Sequence, residues 1–454
     1  MPAPKACVIA GTHSGCGKTS VTLGLMTAFA RRGLRVAPFK AGPDFIDPGL
    51  HARAAGRHSH NLDSWMLPPK AVRDLFARHA GEADLALVEG VMGLFDGLSP
   101  TENTGSTAEL AALLDLPVIL VADARSLARS AAALVQGYVR FDPALRFAGV
   151  ILDRVGSTSH ADTLRKALEA HLPGPPLLGC LPRDDSLALP ARHLGLVTAE
   201  DAAGLDELLG RLADACERHL DLDALLAALP AVAPAAPDDP PPPGTRARIG
   251  LARDRAFCFV YEENLRLLRD AGAEIAPFSP LADKHLPPDL DGLYLPGGYP
   301  ELAAFDLAQN ASLRKEILAF SRSGRPVYAE CGGLLYLLDR ISVEGRTFPM
   351  CGAFPFRAEL KPRLAALGYR QVTTTRPTLL GPAGTTLRGH EFHYTALEPA
   401  PGTPDTAYAV SGRDGPRPAE GFCHENTLAS YIHLHFGSCP EAARAFVEAC
   451  AARR

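Results

Sequence analysis

None of the ten cysteines belongs to a C-x-x-C pair, which excludes a zinc ribbon and leaves no regular disulfide framework. Reduced thiols in a cytoplasm fit that pattern. No apolar run reaches bilayer-spanning length, and the passage from Met1 through one lysine into "ACVIAG" leaves no room for a secretion signal. A cytoplasmic protein without a membrane partner is expected. An excess of positive charge is also missing. Lys and Arg total 46 against 51 Asp and Glu, a formal charge of -5, so nothing suggests a nucleic-acid partner. What remains is a protein that works on small molecules, as a monomer or homodimer. Its 454 residues exceed what one core usually supports, and two domains are expected.

The composition breaks at "ALPAVAPAAPDDPPPPGTRAR", Ala228 to Arg248, where proline and alanine replace any periodic pattern and no core can form. This places a linker over 228–246 between domains at 1–227 and 247–454. On both sides short Val/Ile/Leu runs alternate with amphipathic stretches, as in "LPVILVADA" before "LARSAAALVQGYVRF". That alternation predicts an α/β class: two domains, each a mostly parallel sheet with helices on both faces. No internal repeat is visible.

"CVIAGTHSGCGKTSVTLGLMTAFARRG" reads as a strand, a glycine-rich turn and a helix ending at Gly33. Backbone N–H groups in such a turn, with the positive end of the helix dipole, form a nest for phosphate oxygens. The candidate nucleotide contacts are Thr12, Ser14, Gly15, Cys16, Gly17, Lys18, Thr19 and Ser20, with Lys18 on the outer phosphates and the Thr19 hydroxyl on magnesium. The strict G-x-x-x-x-G-K-[ST] spacing is not met, since Thr12 stands where the first glycine should be and Gly11 lies one residue earlier.

Two further strands end in charged groups. "VAPFKAGPDFIDPGLH" presents Lys40, Asp44 and Asp47, and "LALVEGVMGLFDG" presents Glu89. Strand ends of a doubly wound sheet face the ligand crevice, where acids can hold magnesium and orient a substrate. The alternative is that these acids cap helices or turns.

In "GRPVYAECGGLLYLLDR" a strand ends in Glu330, followed by Cys331 and two glycines opening a helix. A thiol on that bend stands exposed above the sheet, with its thiolate favoured by the helix N-terminus. From this stretch alone, a nucleophile and an inert buried cysteine stand level. His433 in "ENTLASYIHLHFGS" supplies a candidate base. Gly297 and Gly298 in "DGLYLPGGYPEL" offer backbone N–H groups for an oxyanion hole.

Five stretches, "AGTHSGCGKTS", "PFKAGPDFIDP", "NLDSWML", "VEGVMGLFDG" and "LPARHLGLVTA", resemble the ATP-binding half of the cobyrinic acid a,c-diamide synthase family, which is related to dethiobiotin synthetase. Residues 247–440, with oxyanion loop, Cys and His in that order, resemble class I glutamine amidotransferases. The resemblance implies a P-loop NTPase-like domain joined to a flavodoxin-like amidotransferase domain. It implies ATP and Mg2+ as cofactors, and L-glutamine and a cobyrinic acid-type corrinoid as substrates. ATP would convert the a and c acetate carboxylates into acyl phosphates that ammonia attacks. By matching motif, Lys18 and Thr19 would serve phosphate and magnesium and Lys40 the transferring phosphoryl group; Asp44, Asp47 and Glu89 would serve metal and substrate. Cys331 and His433 would release ammonia from glutamine.

Two positions depart from the family pattern. Asp153 in "GVILDRV" stands where asparagine is common, which bears on base preference, and His435 stands where the triad glutamate would be, leaving a dyad. His435 is expected to be structural. His390 and His393, flanking Glu391, are read as packing or substrate contacts, "RHSH" (His58 to His60) as a polar loop, and Arg53, Arg57 and Arg192 as weak candidates for carboxylate contacts. Cobalt-free hydrogenobyrinic acid and nickel sirohydrochlorin remain alternative substrates. A regulatory P-loop ATPase with a degenerate amidotransferase domain is the alternative of another class.

Overall fold

Stretches apolar at every position, such as "KACVIAG", can be satisfied only by burial on both faces of a sheet. The computed structural model, which describes residues 3–189, 204–232, 244–398 and 405–452, places them so. The chain divides into two compact units, Met1–Asp238 and Asp239–Arg454. The first carries seven strands, β1 (Lys5–Gly11), β2 (Val36–Ala41), β3 (His60–Leu62), β4 (Leu85–Glu89), β5 (Val118–Asp123), β6 (Phe147–Val155) and β7 (Leu177–Pro182). They form one sheet in the order β3-β2-β4-β1-β5-β6-β7, with every pairing parallel. The chain turns from one side of β1 to the other between β4 and β5, so the crevice for a ligand opens at the C-terminal ends of the central strands.

Helix α1 (Lys18–Arg31) begins at Gly17 in the left-handed region, φ 95°, and stops before Gly33, φ 85°. Its apolar side, with Leu25 and Phe29, packs into a cluster with Leu208, Leu212 and Cys216 from the helix Leu205–His219. Helix α2 (Ile46–Ala55) follows β2. The exit from this unit is fastened to its entrance. Ala231 bridges Lys5, the Val232 N–H donates to the Pro4 carbonyl at 2.7 Å, and Lys5 Nζ donates to the Leu226 carbonyl. Of the expected linker, residues 233–243 lie outside the described residues.

In the second unit, β8 (Ala247–Ala252), β9 (Ala273–Phe278), β10 (Gly292–Leu295), β11 (Val327–Glu330) and the strand Thr427–Ser430 form a parallel group. The same ten-stranded sheet continues beyond Thr427–Ser430 through five strands paired antiparallel. A separate four-stranded sheet holds Leu338–Val343, Arg346–Pro349, Phe354–Leu360 and Thr395–Glu398. The difference follows burial. Val327–Glu330 is buried at every residue, whereas Phe354–Leu360 begins with strict alternation of buried and exposed positions, the mark of a sheet wetted on one face. Among the described residues, no helix is long and apolar enough to cross a membrane.

Candidate active sites

In the first unit, sheet register sets the site. Lys40 pairs with Glu89 and Glu89 with Ile9, at the C-terminal ends of β2, β4 and β1. Lys40 Nζ lies 2.9 Å from Glu89 Oε1 and also bonds Asp47. The Thr19 hydroxyl donates to Glu89 Oε1 at 2.7 Å. His51, from α2, meets the other oxygen of Glu89 through Nε2 at 2.7 Å, and its Nδ1 meets the Ser59 hydroxyl at 3.2 Å. Burial would raise Glu89, but the charges of Lys40, His51 and Lys18 outweigh it and hold its carboxyl well below the usual range. Asp47 moves the other way: burial and the facing Glu89 charge push it well above. One carboxylate of the pair therefore keeps its charge at the expense of the other, as close like charges require. Thr19, Asp47 and Glu89 offer oxygen donors only, the set a hard divalent cation takes.

Asp44 does something narrower. Its two carboxylate oxygens accept the Ile46 and Asp47 N–H groups at 3.0 and 3.2 Å, so it caps the first turn of α2. The phosphate loop closes against Asp153. A β-carbon on Gly17 would fall 1.9 Å from Asp153 Oδ2. Asp153 also lines a cavity of about 470 Å³ with Gly15, Gly17, Ser20 and Arg125, and burial raises its carboxyl despite the neighbouring Arg154. Thr12 turns elsewhere: its carbonyl accepts the Tyr138 hydroxyl and its side chain meets His13 Nδ1 at 3.1 Å.

In the second unit, Cys331 occupies a turn at φ 45°, ψ -100°, a conformation costly for any residue with a β-carbon. The Cys331 N–H donates to the Ser430 carbonyl at 2.6 Å, tying the turn to the neighbouring strand. Gly297 and Gly298 join the thiol's turn to the imidazole. A β-carbon on Gly297 would sit 2.1 Å from His433 Cε1, and one on Gly332 would sit 2.9 Å from the Gly298 nitrogen. The Gly297 N–H, expected to be available, donates to the Phe259 carbonyl at 3.2 Å. The Gly332 N–H meets the Cys331 sulfur, so it lies at the reacting atom.

Glu330 holds this arrangement. It accepts the Tyr328 hydroxyl at 2.6 Å, the Tyr294 hydroxyl at 2.9 Å and the Leu434 N–H at 2.9 Å, so the residue before the cysteine grips the residue after His433. The thiol is not held as a thiolate. Burial, then the charge of Glu301, push Cys331 well above its usual value; the Gly332 amide pulls it down, while Glu330 and Glu391 raise it further. The expected helix-terminal effect is present but outweighed. Burial, with His390 and His393, lowers His433 to about 3, so its imidazole is neutral. His435 is structural: its Nδ1 accepts the Gly437 N–H at 3.1 Å and its ring packs 4.7 Å from that of Tyr261.

Residues 7–197 match the family model described as a CobQ/CobB/MinD/ParA nucleotide binding domain, and residues 248–440 match a CobB/CobQ-like glutamine amidotransferase domain. A cobyrinate a,c-diamide synthase of Syntrophotalea carbinolica is 50% identical over 453 residues, covering 98% of each chain. Relatives of the same name are 44% identical in Salmonella typhimurium, covering 96% of each chain, and 43% identical in Archaeoglobus fulgidus, covering 97% of this chain and 96% of that one. The chain belongs to the cobyrinate a,c-diamide synthase family. It is a glutamine-hydrolysing, amide-forming ligase with a nucleotide-binding domain.

The remaining candidates of this family member fall outside both sites or into supporting roles. Arg53 pairs with Asp206 at the surface and Arg57 with Glu82, while Arg192 lies outside the described residues, as do all but the first residue of "LPARHLGLVTA". The polar-loop reading of "RHSH" holds for exposed His58 but not for His60, which opens β3 and stacks on His79 at 3.5 Å. Glu391 bonds Arg370 at 2.6 Å and His393 at 2.9 Å, and His393 stacks on Tyr431 at 3.8 Å. The motif reading missed His51, Glu301, Glu330 and Arg370. The spacing of Asp47 and His51, four apart on one helix face, was a signal for His51, and the place of Glu330 directly before Cys331 was one for Glu330.

Proposed function

We propose that the enzyme amidates the a and c acetate carboxylates of a cobyrinic acid-type corrinoid, drawing nitrogen from L-glutamine and energy from ATP. Near-full-length similarity to relatives named for that reaction, together with a strained cysteine turn that the Gly297–Gly298 turn links to His433, supports this reading. Cys331, deprotonated by His433, attacks the glutamine carboxamide. The Gly298 and Gly332 amides stabilise the oxyanion, ammonia leaves, and water releases glutamate from the thioester.

In the first unit, the amides of the loop from Thr12 to Ser20 cradle the phosphates, with Lys18 beside them. Lys40 meets the transferring phosphoryl group. Thr19, Asp47 and Glu89 would hold Mg2+, which neutralises phosphate charge when bound. Asp44 fixes the start of α2, keeping Asp47 and His51 in place. The substrate carboxylate becomes an acyl phosphate, which ammonia converts to the amide with loss of phosphate. Lys40 and Glu89 act by charge and position, which is what phosphoryl transfer asks of a protein. The reading is tested by measuring glutamate and phosphate release with cobyrinic acid, hydrogenobyrinic acid and nickel sirohydrochlorin. Turnover is expected with the first; turnover only with another macrocycle would move the assignment to it.

A further inference from the structure

Glu301 follows directly on the turn that carries Gly297 and Gly298. It is 6% exposed, and its Oε2 meets no hydrogen-bond partner among the described residues. Among the described residues near the thiol, Arg370 and His393 are both committed to Glu391, and His433 is neutral. Yet the carboxylate lies within electrostatic range of the cysteine site, where its charge raises both the Cys331 thiol and the Tyr431 hydroxyl. A buried carboxyl oxygen without a donor, placed beside a nucleophile, is a site waiting for a cationic group.

Glutamine carries such a group at the far end from its carboxamide. We propose that Glu301 binds the α-ammonium of the substrate glutamine, so that the carboxamide of the same molecule lies over Cys331. This rests on Cys331 being the glutaminase nucleophile. Two consequences follow. Burial lifts Glu301 to about 7, and a bound ammonium draws it down, so binding releases a proton and the KM for glutamine rises as pH falls below about 7. The ammonium also cancels the charge that opposes the Cys331 thiolate, so the substrate prepares its own nucleophile. Other titrating or charged groups face this space: Cys331 and Glu330 at the end of β11, His390, Glu391 and His393 on one antiparallel strand, Arg370 and Glu420 on two others, and Tyr431 and His433 beyond Ser430. Glu330 and Glu420 also sit at about 7, so the pH effect must be read as a difference from wild type.

The test compares glutaminase activity of wild type and Glu301→Gln on glutamine and on glutaramate, the same amide without the α-amino group. The wild-type preference for glutamine in kcat/KM is expected to fall about 100-fold in Glu301→Gln. The rise of the glutamine KM at low pH should flatten, and Glu301→Asp should keep part of the preference. An unchanged melting midpoint checks that the fold is intact. If both substrates lose activity equally, or if the preference is unchanged, the proposal is overturned. If instead Cys331→Ala retains full glutaminase activity, it is the assignment of the nucleophile that fails.

Discussion

The two sites lie at the C-terminal ends of parallel strands and solve opposite electrostatic problems. Around Glu89 the protein gathers charge: Lys40 bonds two carboxylates, with Thr19 and His51 completing the shell. Around Cys331 it removes charge: the thiol is pushed up, His433 is held neutral at about 3, and Glu301 and Glu330 sit at about 7. Phosphoryl transfer moves several negative charges and needs fixed ions to meet them. Amide cleavage begins from a neutral substrate and is served by a thiol and imidazole that become an ion pair only during reaction.

The comparison can be broken most sharply at the sulfur. Cys331→Ala should abolish glutamine use, by about 10⁴-fold or more in glutaminase turnover, while amidation driven by added ammonium persists; loss of both would mean that the sites are not separable. Lys40→Met should do the reverse, ending amide synthesis from either nitrogen source while glutaminase turnover continues. Because it strands two buried carboxylates, it should also cost about 3–5 kcal/mol in denaturant unfolding. Gly17→Ala combines a left-handed backbone with a β-carbon driven into Asp153. Nucleotide titration should show ATP affinity lowered by about tenfold or more, from a cost of about 1–3 kcal/mol.

The smallest effect belongs to a surface pair outside both sites. Hydrogen bonds and charge from Arg35 hold Asp84 down at about 2. Its folded value lies below its unfolded one, so its contribution is present above about pH 4 and lost as pH falls toward 2. Asp84→Asn should therefore reduce stability by only about 0.5–1 kcal/mol at neutral pH, with the difference from wild type closing in acid unfolding curves.

How much of this was legible depended on whether a feature was contiguous. Gly15 to Ser20 form one turn of backbone, and Glu330 to Gly333 another, so their local geometry follows from adjacent residues. The bond from Glu330 to the Leu434 amide spans 104 positions, and Arg370 meets Glu391 across 21; no periodicity announces either. Gly297 shows a subtler limit. The sequence suggested a spare N–H there, but the Phe259 carbonyl takes that amide, and what the position requires is the absence of a β-carbon beside the His433 ring. The antiparallel extension escaped notice because Gly415–His424 is mostly exposed or half-buried and shows no apolar run.

The clasp of Val232 on Pro4 and Ala231 on Lys5 brings the first and last described stretches of the nucleotide-binding unit side by side. A short engineered bridge could join them and new termini be opened in an exposed loop, giving a circular permutant with the same sheet. The tether leaving this unit is thus anchored at its root: a cut after Val232 preserves the closure, whereas one at residue 227 forfeits it and severs the helix Leu222–Ala228 one residue before its end.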